Sequence, residues 1–128
     1  MKAEEIMVGD LLKYTTPSYI QVASITKKKI GYHIKPNEPR IHYVRLCEVN
    51  PISLTPEILE KNGFVLDDEW YIYTGQGINI EVAFRDDNKF VYDLSILTGS
   101  GSMDIHAKYV HELQHAIRMC NINKTIKL

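Results

Sequence analysis

Residues 105–120, IHAKYVHELQHAIRMC, form the longest helical pattern in the chain. On a wheel of about 100° per residue, the apolar side chains share one arc: Ile105, Tyr109, Val110, Leu113, Ala116, Ile117 and Cys120. Polar side chains share the other arc: Lys108, His111, Gln114, His115 and Arg118. The pattern predicts one long amphipathic helix that buries the first arc and leaves the second in solvent.

The segment before this helix predicts a short helix and a three-stranded antiparallel meander. Thr55-Pro56-Glu57 combines a hydroxyl N-cap, a proline at the first helical position and an acid in the first turn, and Gly63 follows as a stop signal. Strand patterns follow at 70–73, 78–84 and 90–94. A Gly/Ser stretch at 99–102 predicts a loop before the long helix.

Residues 1–50 read as short strands with tight connections. The strand patterns cover 11–15, 19–26, 30–34 and 41–46. Four or five such strands are typical of a small antiparallel SH3-like barrel or half-barrel. The predicted fold class is therefore α+β, with a barrel-like lobe at 1–50 and an α+β lobe at 51–128. Two separate domains and one compact domain are both open at this point.

The charge is uneven along the chain. The 128 residues carry a net charge of −1, with a balance of +3 in residues 1–50 and −4 in residues 51–128. The pattern indicates a basic first lobe and an acidic second lobe, and neither charge is extreme. The start MKAEEIMVGD lacks the apolar run of a signal peptide, and no apolar stretch is long enough for a membrane helix. Cys47 and Cys120 stand outside any CxxC pair, which favours reduced, partly buried thiols in an intracellular protein. We expect a cytoplasmic protein that has no membrane segment and no cofactor.

The long helix contains the pattern His111-Glu112-x-x-His115, which is the HExxH signature of zinc hydrolases. In that reading His111 and His115 bind zinc and Glu112 acts as the base. A catalytic zinc needs a third protein ligand, and no His, Asp or Glu follows His115. Lys108 and Arg118 also share the histidines' arc and disfavour a dication. The preferred interpretation is that both histidines face solvent.

The three lysines Lys27, Lys28 and Lys29 form the most basic stretch. Nearby aromatic residues are Tyr14, Tyr19, Tyr32 and Tyr43, of which Tyr32 is the candidate grouped with the lysines. Cations beside aromatic rings are typical of surfaces that bind single strands or RNA. The alternative is a solvated hairpin tip with half-buried tyrosines.

Three segments resemble a group of small proteins from Bacteroides-type bacteria, their phages and mobile elements. They are MKAEEIMVGDLL, NPISLTPEILEKNGF and KYVHELQH, in the same order over nearly the whole chain. KYVHxLQ is the most specific part, and other residues often replace Glu112 and His115 in that group. The group has no assigned activity. The resemblance therefore implies a family of unknown function and no catalytic residue.

Three hypotheses follow for function. The first is a non-enzymatic interaction module that contacts a protein partner or a second copy of itself through the polar helix face of Lys108, His111, Gln114, His115 and Arg118. The second is a nucleic-acid-binding module that uses the first lobe. The third is a zinc-dependent hydrolase that uses HExxH, which the missing ligand makes the weakest.

Overall fold

The computed structural model of the chain describes residues 1–15, 19–35, 37–75, 77–85, 88–99 and 101–128, without the side chains of 84–91. Within these residues it is mostly β, with ten strands in two antiparallel sheets and two short α-helices. This confirms a mixed α+β fold. The chain forms two compact units, Met1–Ile52 and Ser53–Leu128.

The first unit is one antiparallel sheet of five strands. The strands are β1 (Leu11–Tyr14), β2 (Tyr19–Ile25), β3 (Lys29–Tyr32), β4 (His42–Arg45) and β5 (Val49–Asn50). Their order is β4-β3-β2-β1-β5, so the four predicted strands are confirmed and β5 is added by a 3-10 turn at Leu46–Glu48. Because β4 and β5 do not pair with each other among the described residues, the sheet is open and the predicted SH3-like barrel is not confirmed.

The core of this unit lies on one face of the sheet. Side chains from every strand and from the two flanking turns meet there: Ile6, Leu12, Ile20, Val22, Ile30, Val44, Leu46 and Val49. The buried Asp10 fixes the entry to β1, because its carboxylate accepts the backbone N–H of Met7 at 2.8 Å. A register shift between Val22 and Ser24 interrupts the β2–β3 pairing. Such bulges bend a strand and increase its twist, which curves the sheet around its core.

The second unit contains a larger sheet than the sequence predicted. Its strands are β6 (Val65–Asp67), β7 (Trp70–Gly75), β8 (Ile78–Arg85), β9 (Asn88–Thr98) and β10 (Gly101–Ala107), in the order β10-β9-β8-β7-β6. The expected three-stranded meander is β7-β8-β9, extended by one strand on each side. The helices are α1 (Pro56–Lys61) and α2 (Val110–Met119).

The predicted long helix is wrong in its first third. Residues 105–107 belong to β10, where Ile105 pairs with Leu94 and Ala107 with Tyr92. The predicted loop at 99–102 is also wrong at its end, since Gly101 and Ser102 lie in β10, while Ser100 lies outside the described residues. Met103, Ile105 and Ala107 alternate with polar residues, and this period of two is that of a strand.

The ends of both helices follow the signals in the sequence. Thr55 Oγ1 accepts the N–H of Ile58 at 3.3 Å and caps α1 as predicted. Gly63 has a φ of +87°, and the N–H of Phe64 bonds back to the carbonyl of Leu59 at 3.1 Å. α2 ends in the same way at Asn121, with a φ of +56°. Both are Schellman motifs, in which a left-handed residue satisfies the last carbonyls of the helix.

The tail after α2 is held by a side chain and not by strand pairing. Asn62 Nδ2 donates to the carbonyls of Ile58 and Lys127, both at 2.7 Å, and Asn62 Oδ1 accepts the N–H of Lys127 at 2.7 Å. Ile126, next to Lys127, is buried. No strand follows α2 in the described part of the chain, and this amide clamp of Asn62 holds the tail.

Candidate functional site

The HExxH pattern begins in the first turn of α2. Val110 is the first helical residue, so Glu112 is the third. Its carboxylate accepts two backbone N–H groups, from Tyr109 at 3.1 Å and from Lys108 at 3.3 Å. The first N–H groups of a helix lack partners inside the helix, and an acid at this position supplies one. Glu112 thus acts as a cap, and its Oε1 accepts both of these backbone N–H groups.

His111 is buried, with 5% of its surface exposed. The ring of Tyr109 stacks on it at 5.8 Å between centroids and 10° between planes. The ring of His115 meets it edge-on at 5.5 Å. The predicted solvent exposure of His111 is therefore wrong, because an aromatic neighbour covers it. Tyr109 is the N-cap residue and does not lie on a helical arc at all.

Only part of the predicted polar face of the helix is exposed to solvent. Gln114 is buried like His111, so its predicted exposure is wrong as well. His115 and Arg118 are half-buried, and Lys108 is exposed. Five side chains were expected to form one interaction face, and two of them belong to the interior. The rings of His111 and His115 remain adjacent, and only that of His115 is partly exposed.

Metal ligands do not converge within the described chain. No group of three or more His, Cys, Asp or Glu side chains there is arranged to hold a metal ion. Cys47 is exposed, contrary to the expectation of a partly buried thiol. Cys120 is half-buried as expected.

The three lysines lie where the sequence predicted, at the turn between β2 and β3. The N–H of Thr26 donates to the carbonyl of Lys29 at 2.9 Å and closes the turn. Lys27, Lys28 and Lys29 are all exposed. Their ammonium groups thus surround one end of the first sheet.

A fourth cation stands beside them on β4. Lys29 and Arg45 are directly opposite each other in the β3–β4 ladder, so their side chains leave the same face. Arg45 Nη2 lies 3.3 Å from Glu48 Oε1, and 70% of the Arg45 side chain remains exposed. We call the exposed set Lys27, Lys28, Lys29 and Arg45 the basic face.

Tyr32 does not belong to the basic face. It follows Lys29 by three residues and therefore points to the other side of β3, where it packs against the core. Its ring lies 6.1 Å from that of Tyr14 and 5.7 Å from that of His42. Burial raises the pKa of the Tyr32 hydroxyl, and the neighbouring Tyr14 adds to this effect. The grouping of Tyr32 with the lysines is wrong for this geometric reason.

Tyr43 takes the place expected for Tyr32. It pairs with Gly31 in the β3–β4 ladder, two residues from the Lys29–Arg45 pair, and so projects from the same face. It is 58% exposed. The sequence indicated Tyr43 only as one of four tyrosines near the lysines and gave no signal for Arg45, because the connection of nine residues between β3 and β4 hides the register that brings both to Lys29.

The second sheet carries a different, acidic surface. A depression of about 360 Å³ is lined there by Trp70, Asp93, Ser95, Asp104 and His106, among others. His106 Nδ1 lies 2.7 Å from Asp93 Oδ1. Trp70 and Asp93 both pair with Ala83 on β8, whose small side chain leaves space between them.

Comparisons with known proteins add no relative. No family model matches the chain, and neither a search of curated proteins nor a search of solved structures returns a match. The resemblance to small Bacteroides-type and phage proteins stays a prediction. No helix among the described residues is long and apolar enough to cross a membrane.

Proposed function

We propose that the protein is a non-enzymatic binding module whose first unit binds nucleic acid through the basic face. The observation that carries this proposal is the direct opposition of Lys29 and Arg45, with Lys27 and Lys28 in the adjacent turn. Like charges placed opposite each other in a sheet destabilise it, and the exposed ion pair of Arg45 with Glu48 offsets only part of this repulsion. A stretch of polyanion along this face replaces that repulsion with attraction and releases the counterions of the phosphates.

The polar face of α2 supports the interaction hypothesis less than the sequence suggested, since His111 and Gln114 are buried. The first unit, in contrast, keeps all its predicted cations exposed and adds Arg45 to them. We propose in addition that this unit is an SH3-like half-barrel. The strand order, the 3-10 turn Leu46–Glu48 before β5 and the bulge in β2 support this assignment.

The experiment is a salt titration of binding to a fluorescently labelled oligonucleotide, followed by anisotropy. If all four cations contact phosphates of a single strand, log K falls with log salt with a slope of about −2.8. That slope corresponds to about 50-fold weaker binding between roughly 50 and 200 mM salt. Lys29→Glu is expected to weaken binding and to reduce the slope by about 0.7.

Lys108→Glu is the matched control, because it makes the same change in net charge at an exposed position of the second unit. It is expected to leave binding nearly unchanged. Equal losses in both variants would indicate a response to net charge alone and would contradict the proposed face. No binding at the lowest salt would end the proposal.

A second candidate is self-association through the edge strand β6. All three residues of β6 are exposed, and Val65 is 68% exposed although apolar. An edge strand offers unpaired backbone groups to a second chain, and exposed apolar side chains strengthen such pairing. Analytical ultracentrifugation tests this: a mass that rises with concentration, and that Val65→Lys returns to the monomer, supports it. A monomer at all concentrations excludes it.

A further inference from the structure

We infer that the basic face selects single strands over duplexes by stacking a base on Tyr43. This inference rests on the proposed nucleic-acid function and adds to it the kind of strand that is bound. The cations supply attraction to any phosphate backbone, whereas an exposed aromatic ring can stack only on a base that is free of its own partners.

The ring of Tyr43 packs over Gly31 on the neighbouring strand β3. A Cβ added at Gly31 would overlap Ser24 Oγ and would lie 2.8 Å from Ile41 Cγ2 and 3.3 Å from Tyr43 Cε1. The space above Gly31 is thus already filled by its neighbours, and the Tyr43 ring rests over the glycine. An aromatic side chain that covers a cross-strand glycine is a known stabilising arrangement in sheets. The ring is therefore ordered before any ligand arrives.

The open part of the ring is available to a ligand. Tyr43 exposes 58% of its surface, a large fraction for an aromatic side chain in the middle of a four-residue strand. A ring that is already held in place loses little conformational entropy when a base stacks on it. Burial of the exposed ring against a base then adds an attraction that does not depend on sequence, since every base has a π-face.

The cations are spaced to hold the backbone of the same strand. Arg45 follows Tyr43 by two residues on the same face, about 7 Å along β4, and Lys29 faces Arg45 across the ladder. A base on Tyr43 thus has two cations beside it for the adjacent phosphates. In a duplex the bases are stacked on each other and unavailable to Tyr43, so only the electrostatic attraction remains.

The experiment compares a labelled single-stranded DNA of about 12 nucleotides with the duplex of the same length at fixed low salt. Tyr43→Leu keeps an apolar side chain over Gly31 and removes the aromatic ring. It is expected to weaken single-strand binding about ten-fold and to leave duplex binding unchanged. Tyr43→Phe keeps the ring and is expected to bind both ligands as the wild type does. Far-UV circular dichroism of each variant verifies that the sheet is retained.

Two outcomes separate this inference from the proposal on which it rests. If Tyr43→Leu changes single-strand and duplex binding equally, or changes neither, while Lys29→Glu still weakens binding, stacking is refuted and the nucleic-acid function stands. If Lys29→Glu has no effect, both are refuted. A polyglutamate competitor that displaces the single strand as well as unlabelled DNA does would also overturn the inference, because it would show a response to charge without bases.

Discussion

The Asn62 clamp is the feature whose removal is easiest to quantify. Asn62→Ala deletes three hydrogen bonds, each of which joins the end of α1 to itself or to the tail: the two from Nδ2 to Ile58 and Lys127, and the one from Lys127 to Oδ1. A typical hydrogen bond contributes about 0.5–1.5 kcal/mol net, which gives a range of roughly 1.5–4.5 kcal/mol for the set.

The expected loss lies in the lower half of this range, at about 2 kcal/mol. Lys127 is exposed, so its freed N–H and carbonyl regain water once the amide is gone. Detachment of the tail would also expose the buried side chain of Ile126 to solvent, and that exposure is unfavourable. For a unit of this size, a loss of about 2 kcal/mol corresponds to a melting temperature lower by about 10 °C.

Urea unfolding followed by tryptophan fluorescence measures the effect directly. Trp70 is the only tryptophan of the chain and lies in the same unit as Asn62, so its signal reports on that unit. Asn79→Ala is the matched control, since Asn79 bonds only to the neighbouring polar side chains of Thr74 and Glu81 among the contacts described. It is expected to change the free energy of unfolding by less than about 0.5 kcal/mol.

A truncated chain without residues 127–128 tests the mechanism. It lacks both backbone groups of Lys127, so Asn62→Ala should cost less than half as much there as in the full chain. Equal costs in the two backgrounds would show that Asn62 acts within α1 alone. A cost below about 0.5 kcal/mol in the full chain would refute the clamp as a stabilising element.

Three further predictions concern individual contacts. Glu112→Ala removes the acceptor of two N–H groups and should lower the free energy of unfolding, measured with urea, by about 1 kcal/mol. Glu112→Gln keeps an acceptor oxygen and should retain most of the stability of the wild type. Equal losses in the two variants would contradict the capping role. Gly31→Ala should destabilise the first unit by about 1–3 kcal/mol, measured by thermal melting. Adding Ser24→Ala to this variant should restore part of the lost stability, because it removes the hydroxyl that the new methyl group overlaps. If the double variant is no more stable than Gly31→Ala, the overlap is contradicted. The hydrogen bond from His42 lowers the pKa of the Glu38 carboxyl below 4.5. The stabilisation of the folded state by this bond is therefore present above pH 4.5 and is lost as the pH falls through the lowered pKa. The melting temperature of the wild type should therefore fall more between about pH 6 and pH 3 than that of Glu38→Gln, and parallel curves would contradict this.

The elements that sequence predicted well are those with strong local signals. The hydroxyl of Thr55, the proline after it and Gly63 fix both ends of α1 through contacts within a few residues. The end of α2 at Asn121 depends on the same local chemistry, because asparagine tolerates the left-handed conformation. Such features depend on backbone chemistry that a short stretch of sequence contains, and tertiary packing does not alter them.

The long helix failed because its first residues fit two periods. Ile105 and Tyr109 are spaced by four, as in a helix, while Met103, Ile105 and Ala107 are spaced by two, as in a strand. Only pairing with β9 decides between them, and β9 itself extends to Thr98 through the alternation of Leu94 and Ile96. The five-stranded sheet thus depended on partners that are distant in sequence.

The candidate sites depended even more on tertiary structure. Gln114 lies only about 40° from the core residue Val110 on a helical wheel, so its burial could have been predicted from the sequence. The burial of His111 was not, because it comes from the stacked ring of Tyr109, outside the helix. Likewise, the lysines were recognisable as a run, but Arg45 and Tyr43 join them only through the register of β3 and β4.

The position of Glu112 has a consequence for how metal-binding patterns are recognised. A glutamate three residues after the N-cap is favoured by selection for helix formation alone, whatever stands on either side of it. Two histidines flanking such a glutamate then complete the letters of a zinc-hydrolase signature without any pressure from metal. The distance from the start of the helix to the glutamate therefore separates two classes of HExxH sequences. Where the glutamate is the third helical residue, as here, one of its carboxylate oxygens caps the backbone of the first turn.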